Sequence, residues 1–397
     1  MCDNMENKKY SMLVIALYCY TGHVKAMLNH LKAKNPLVDI TILTNKPDEY
    51  GDLTDKLVKT VSYNVSSVDW VKIKPLRVFV TKYKQIRFFS KFCKNRRFDI
   101  INIHFANRYI SFVYKYLHAM SDNIVMIPWG SDILRRPKKN LEQLAYLYQK
   151  ADYIAASPSS PVGRKILQEF KVNPKKIVGS FWGSAGIDYA IKNGELISVD
   201  EAKKRFGLSG RYVITCGYNK QEAQRHKAII QAINQVRDQL PNNLTLLFPM
   251  NYGGWTTTEK YGEEIKKECK ERGIHAVFIT EFLTVEDLYK MRKATDMFVH
   301  VQTTDAFSGS FQEYILCNIK IVHGSWIKYE ALESFSPLFY FPVDKLENLG
   351  KVIVKAYYSD NIKIPQGVID YVKKSGWNNK ATLMNDFYMS IVYNFDS

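Results

Sequence analysis

The feature that most constrains this 397-residue chain is an alternation kept up through both halves, in which short apolar runs rich in β-branched residues alternate with segments of helical period. The runs Leu13–Tyr18, Asp39–Thr44, Ile100–His104, Ile124–Pro128 and Tyr153–Ala156 read as strands of a first half. Tyr212–Cys216, Leu244–Pro249, Ala276–Thr280, Met297–Val301 and Lys320–Val322 read as strands of a second. The spacing predicts helices over Gln221–Gln239, Tyr261–Arg272 and Thr284–Ala294, so the pattern is that of β-α-β units and parallel sheets. No fixed-period repeat or low-complexity tract competes with it. The length suits two domains, and the Gly-rich, polar stretch WGSAGIDYAIKNGELISVDEAKKRFGLSG precedes the strand at Tyr212. A linker is expected near 185–205. The expected architecture is α/β, two Rossmann-like domains at 1–190 and 200–375 with parallel sheets facing across a cleft. A last segment, 376–397, is expected to pack back on the first as a helix near 378–392. In such open sheets ligands gather beyond the carboxyl ends of strands, near helix N-termini.

With 46% hydrophobic and 13% aromatic residues, disorder is excluded as the main state. No predominantly apolar run reaches the roughly 18 residues of a spanning helix. The run SMLVIALYCY follows Lys8 and Lys9 but also Asp3 and Glu6, lacks a small-residue cleavage site, and passes directly into a helical period. It reads as a buried first strand, not a leader. Cys2, Cys19, Cys93, Cys216, Cys269 and Cys317 are scattered, without C-x-x-C pairs, the usage of a reduced cytoplasmic protein. No D-x-D carboxylate pair is present, so chemistry without a metal is the expectation.

The most informative stretch is MFVHVQTTDAFSGSFQEYILCN, residues 297–318, where a strand ends, small polar residues follow, and a helix is expected near Ser310. There the backbone N–H groups of Ser308, Gly309 and Ser310 would face an anion, favoured by the helix dipole. Glu313, one turn in, could accept from ribose hydroxyls, and Asp305 would face the group beyond the phosphates. An ordinary strand-loop-helix, with Asp305 as cap and Glu313 solvated, accounts for the spacing equally well.

Asp305-x7-Glu313 resembles the E-x7-E motif of the retaining family 4 glycosyltransferases, which have the GT-B fold. The resemblance implies that Asp305 meets the donor sugar, Ser308 to Ser310 hold the diphosphate, and Glu313 holds the ribose. CGYNKQEAQRHKAIIQAI (216–233) is similar in outline to that family's G-R-x-x-x-x-K-G region. This makes Asn219 a donor-site candidate and Arg225 the preferred diphosphate cation, with His226 or Lys227 second; exposed charges on a helix face are the plain alternative. With FPMNYGG (248–254), which adds Tyr252, the region is more like a subgroup related to lipid-linked fucosaminyltransferases. TEFLTVEDLYKMRKATDMFVH resembles the base-recognition stretch and implies contacts from Phe282 and Leu283, while Leu288, Met291 and Ala294 fall at core spacing.

In the first half, the apolar strand closing at His104 resembles one whose His faces the donor sugar, although a lone His is more often structural. IPWGSDILRR makes Trp129, Asp132 and Arg135 acceptor candidates, with a capping role for Ser131 or Asp132 equally open. Gly22, in Tyr20-Thr21-Gly22-His23, stands where the family has a Gly-rich loop near the diphosphate.

Residues 71–98 hold ten Lys/Arg and no acid in a chain of formal net charge +17. The spacing after Lys82 suits an amphipathic helix on an anionic membrane. A plain solvated basic face is the open alternative, while nucleic acid is disfavoured, because no recognition-motif aromatics or zinc module accompany the charge.

The resemblance therefore implies a nucleotide-sugar-dependent hexosyltransferase, cytoplasmic and peripheral on the inner face of the membrane. It would act with retention and without a metal, moving a sugar from a nucleoside diphosphate, a UDP-sugar foremost, to a hydroxyl of a lipid-linked bacterial surface glycan. The alternatives are a GT-B nucleotide-sugar epimerase or hydrolase, and a non-catalytic basic protein that binds anionic membrane or nucleic acid.

Overall fold

A computed structural model describes residues 8–17, 19–54, 58–63, 65, 72–107, 110–253, 259–335, 338–360 and 363–394. Cys2, Asp3, Glu6, Tyr18, Val71 and Gly254 of the stretches above lie outside them. The chain divides into two compact units, Met1–Gly183 with Trp377–Ser397, and Ser184–Gly376.

The first unit contains one sheet of β1 (Ser11–Ala16), β2 (Asp39–Thr44), β3 (Val58–Ser62), β4 (Ile100–His104), β5 (Ile124–Ile127) and β6 (Tyr153–Ile154). Its order is β3-β2-β1-β4-β5-β6, with every pair parallel. The central strands IINIH and IVMI are buried at every position, as a parallel sheet covered on both faces requires. Helix Trp377–Tyr393 belongs to this unit and packs against helix Thr21–Lys34. Its Tyr388 hydroxyl accepts a 2.6 Å hydrogen bond from Asn102 in β4, and Asn385 accepts one of 3.0 Å from Asn35.

The second unit repeats the plan with β7 (Tyr212–Cys216), β8 (Leu244–Pro249), β9 (Ala276–Ile279), β10 (Met297–His300), β11 (Lys320–Gly324) and β12 (Phe341–Val343), ordered β12-β11-β10-β7-β8-β9. Numbered from the first strand of each sheet, both units have the doubly wound order 3-2-1-4-5-6. The order reverses between β1 and β4 in one and between β7 and β10 in the other, and that is where such sheets bind ligands.

The expected linker is corrected. The break falls at Gly183/Ser184, and most of 185–205 is two helices, Ala185–Asn193 and Val199–Arg205. Each has a serine N-cap: Ser184 Oγ accepts from the Gly186 N–H at 3.1 Å and Ser198 Oγ from the Glu201 N–H at 3.1 Å. Ile187, Ile197 and Ala202 are buried in the second unit's cores, and Lys203 pairs with Asp296 at 2.7 Å. Apolar burial and that ion pair outweigh the Gly-rich composition. The helix expected over Gln221–Gln239 is also corrected: it begins at His226, because Arg225 takes a left-handed conformation with φ +62° and separates a short 3-10 turn from it.

Candidate functional site

At the carboxyl end of β10 the chain turns through residues 301–308 into helix Gly309–Leu316. Ser308 is the N-cap, its Oγ accepting from the Phe311 N–H at 3.4 Å. Phe307 just before it has φ +67°, a conformation that a bulky side chain rarely adopts and that clusters at functional turns. Among the described residues, the Gly309 and Ser310 N–H groups meet no acceptor, as expected in a first helical turn, but the Ser308 N–H, expected to face an anion with them, is instead taken by the Asp305 carboxylate.

Glu313 is buried one turn further on. Its Oε1 accepts from Ser184 Oγ at 2.7 Å and its Oε2 from Arg292 Nε at 3.2 Å. Arg292, on helix Val285–Lys293, is only 1% exposed; it also donates to Ser310 Oγ at 3.0 Å and to the Tyr314 hydroxyl at 3.2 Å. The Tyr252 ring brings its hydroxyl against Ser310 and Asn219, close to Arg292 and Glu313. Backbone approach here is close: a Cβ on Gly186 would lie 2.4 Å from Glu313 Oε1. Asn219, Tyr252, Ser310 and Glu313 are thus brought into one cluster. Its buried cation, Arg292, was missed in the sequence, since its partner is 21 positions away and its neighbours MRK read as an ordinary helix face.

Asp305 lies on the same turn, and its carboxylate is enclosed by the protein. Oδ1 accepts from the Tyr218 hydroxyl at 2.8 Å, and Oδ2 from the Tyr329 hydroxyl and from the Ser308 N–H at 2.8 Å. Burial opposes its ionisation, but His300, 3.9 Å away, and these three donors outweigh burial and hold the carboxyl below the usual carboxylate range. Burial pushes His300 itself down to about 3, so its imidazole is neutral at pH 7 and the donors carry the effect.

The other candidates divide. Arg225 donates to the Val301 carbonyl at 3.3 Å and lies over the Trp326 ring at 4.9 Å, which places it at the end of β10. His226 is buried between Phe248 and Tyr261, and burial lowers it to about 4, so it is a neutral core residue. Lys227 is exposed and paired with Glu264 at 2.7 Å, a solvated helix face. Phe282 is exposed, and Leu283 packs against the core of its unit.

In the first unit the ends of β1, β4 and β5 carry an aromatic group. Trp129 and Trp182 lie 4.8 Å apart, with His104 6.3 Å from the first and 5.8 Å from the second. His23 contacts both tryptophans and Tyr20. His104 is fully buried with neither ring nitrogen hydrogen-bonded, and burial lowers it to about 3. Asp132 accepts from the Trp129 N–H at 2.9 Å through Oδ1, while Oδ2 is unpartnered and burial raises the carboxyl to about 7. Arg135 is exposed at the end of helix Ser131–Leu134, and Gly22 lies beneath the Tyr20 ring.

Solved structures resembling the whole chain include a glycosyltransferase from Rickettsia africae, with TM-score 0.68 and 13% identity over 98% of this chain and 100% of that one. Sucrose-phosphate synthase from Thermosynechococcus elongatus has TM-score 0.71 and 12% identity, again over 98% and 100%. Anabaena HepE, solved in complex with UDP-glucose, has TM-score 0.64 and 13% identity over 97% and 100%. The fold is that of the GT-B glycosyltransferases. No family model and no curated protein matches the sequence.

Proposed function

We propose that the chain is a glycosyltransferase that takes its sugar from a nucleoside diphosphate bound at the carboxyl ends of β7 and β10. The observation that carries this reading is the cluster of Glu313, Arg292, Ser310, Tyr252 and Asn219 around the start of helix Gly309–Leu316, at the point where the strand order reverses. The fold it shares with HepE, which was solved with UDP-glucose, favours a UDP-sugar.

Departure of a nucleoside diphosphate requires stabilisation of developing negative charge. The Gly309 and Ser310 N–H groups, the helix dipole and Arg225 supply it, preorganised so that little reorients during reaction. Glu313 would hold the ribose hydroxyls. The first unit would bind the acceptor beside Trp129 and Asp132, with His104 supporting the transferred sugar. Retention follows if the departing phosphate itself takes the acceptor proton.

The expected acceptor is a lipid-linked glycan, and helix Lys74–Phe92 of the first unit is the proposed membrane-facing element. Leu76, Phe79 and Tyr83 are exposed along one face, which Arg87 continues, whereas Gln85, Phe89 and Phe92 are buried. No acid interrupts the stretch. Each basic residue near an anionic surface contributes on the order of 1 kcal/mol. Co-sedimentation with phosphatidylglycerol vesicles, absent with phosphatidylcholine alone and lost in Phe79→Glu/Tyr83→Glu, is the expected outcome; equal binding to both vesicles would end the membrane reading.

The donor reading is tested by thermal denaturation with UDP, GDP, dTDP and their sugar conjugates. A ligand at 100 times its Kd stabilises by about 2.7 kcal/mol. One diphosphate should raise the melting temperature, and Arg225→Ala should weaken that shift without lowering the melting temperature of the free protein. No shift with any diphosphate would remove the donor site.

A further inference from the structure

The carboxylate of Asp305 is the end of a hydrogen-bonded chain whose direction can be worked out atom by atom. The Ile327 carbonyl only accepts, so His323 Nε2, at 2.9 Å, carries a proton. Burial lowers His323 to about 4 and keeps it neutral, so its Nδ1 is bare and accepts from His300 Nδ1 at 3.0 Å. His300, also neutral, then presents a bare Nε2, and Gln302 Nε2 donates to it at 3.0 Å. The same amide nitrogen donates to the Tyr218 hydroxyl at 3.1 Å, and that hydroxyl's one proton goes to Asp305 Oδ1 at 2.8 Å. Gln302 Oε1 accepts from Gln224 at 2.5 Å, and Gln224 Oε1 accepts from the Tyr218 N–H at 3.1 Å. All these residues are buried.

Asp305 thereby joins three strand ends. Tyr218 follows β7, Asp305 itself follows β10, and Tyr329 follows β11. Its other oxygen accepts the Ser308 N–H, across a turn that contains the left-handed Phe307. Gln312 Nε2 holds the same turn by donating to the Phe307 carbonyl at 2.8 Å. Three of the roughly four acceptor positions of the carboxylate are filled by protein donors. Such a group is suited to fixing a strained turn, and poorly suited to taking several hydroxyls of a ligand.

We propose that Asp305, with Tyr218 and Tyr329, is a positioning residue: it holds the turn that presents the Gly309 and Ser310 N–H groups to the donor diphosphate, and it is not a sugar ligand. This rests on the donor-site reading above.

The test is titration calorimetry of the full chain with UDP and UDP-glucose, and a ligand-observed NMR titration with uridine, for wild type, Asp305→Asn, Tyr218→Phe and Tyr329→Phe. A buried hydrogen bond to a charged group corresponds to roughly 10- to 100-fold in an equilibrium constant. UDP and UDP-glucose affinities should fall by one common factor within that range in each variant, with uridine affinity within about twofold of wild type on the same scale. The tyrosine variants keep their rings and serve if Asp305→Asn does not fold. A loss confined to UDP-glucose in Asp305→Asn, with UDP unchanged and the tyrosine variants silent, would make Asp305 a sugar ligand and overturn the proposal. An equal loss of uridine, UDP and UDP-glucose would make the role merely structural and overturn it too. Wild type that binds none of UDP, GDP and dTDP would remove the donor-site reading, and this proposal with it.

Discussion

Arg292 and Glu313 neutralise one another where water hardly reaches, 2% and 6% exposed at their side chains. Truncating one partner leaves the other as an uncompensated buried charge, typically at about 3–5 kcal/mol. Glu313→Ala should therefore lose stability on that scale in urea denaturation, and Arg292→Met with Glu313→Leu should lose less than either single change. Buried histidines set the acid response. His104 and His300 lie near 3, and His226 and His323 near 4, against about 6.5 unfolded. Between those values the unfolded chain binds protons that the folded chain does not, so the histidines' contribution is level above about pH 6.5 and falls on acidification, by roughly 1.4 kcal/mol per group per pH unit. Asp132 has the opposite sign. Its folded carboxyl, near 7, is less acidic than the unfolded one, so it destabilises at neutral pH and ceases to do so as the pH falls towards 4. Asp132→Asn should raise the melting temperature at pH 7.5 and leave it unchanged at pH 4.

At the scale of elements, legibility followed burial. Strands buried on both faces, such as IINIH and LTLLFP, stand out as continuous apolar runs. The edge strands escaped notice for two reasons: VKTVS is mostly half-exposed and interrupted by Lys and Thr, and FPV is only three residues long with an exposed proline. The helices within 185–205 did leave a local signal, Ser198 three residues before Glu201, which composition obscured. Ser198→Ala should cost about 1 kcal/mol in thermal denaturation with nucleotide affinity unchanged. Ser184→Ala should affect both, because its hydroxyl also donates to Glu313. The start of helix Gly309–Leu316 was legible from small residues and spacing. The tyrosines that enclose Asp305 were not, since Tyr218 and Tyr329 stand 87 and 24 positions away and share no motif with it.

For the whole molecule, periodicity alone conveyed two parallel sheets, and the fold bears this out. It did not convey that the two share one strand order, which emerges only from which strands pair. Ser184–Gly376 is contiguous, with its own cores and the complete Glu313 cluster. Expressed alone it should unfold cooperatively and retain nucleotide binding, a result that calorimetry on the isolated segment checks. Met1–Gly183 alone lacks helix Trp377–Tyr393, and with it one hydrogen-bond partner each of Asn35 and Asn102, and should not reach the native melting transition.

This interleaving imposes an order on biosynthesis. Translation delivers the six strands of the first sheet before the second unit, yet Met384, Tyr388 and Met389, fully buried within the first unit, are made only after the second. The first unit is begun before the second and completed only after it. A nascent chain paused after Gly376 would carry the strands of both sheets while Asn102 in β4 still lacked the Tyr388 hydroxyl, a form for chaperones to shelter until the closing helix is released.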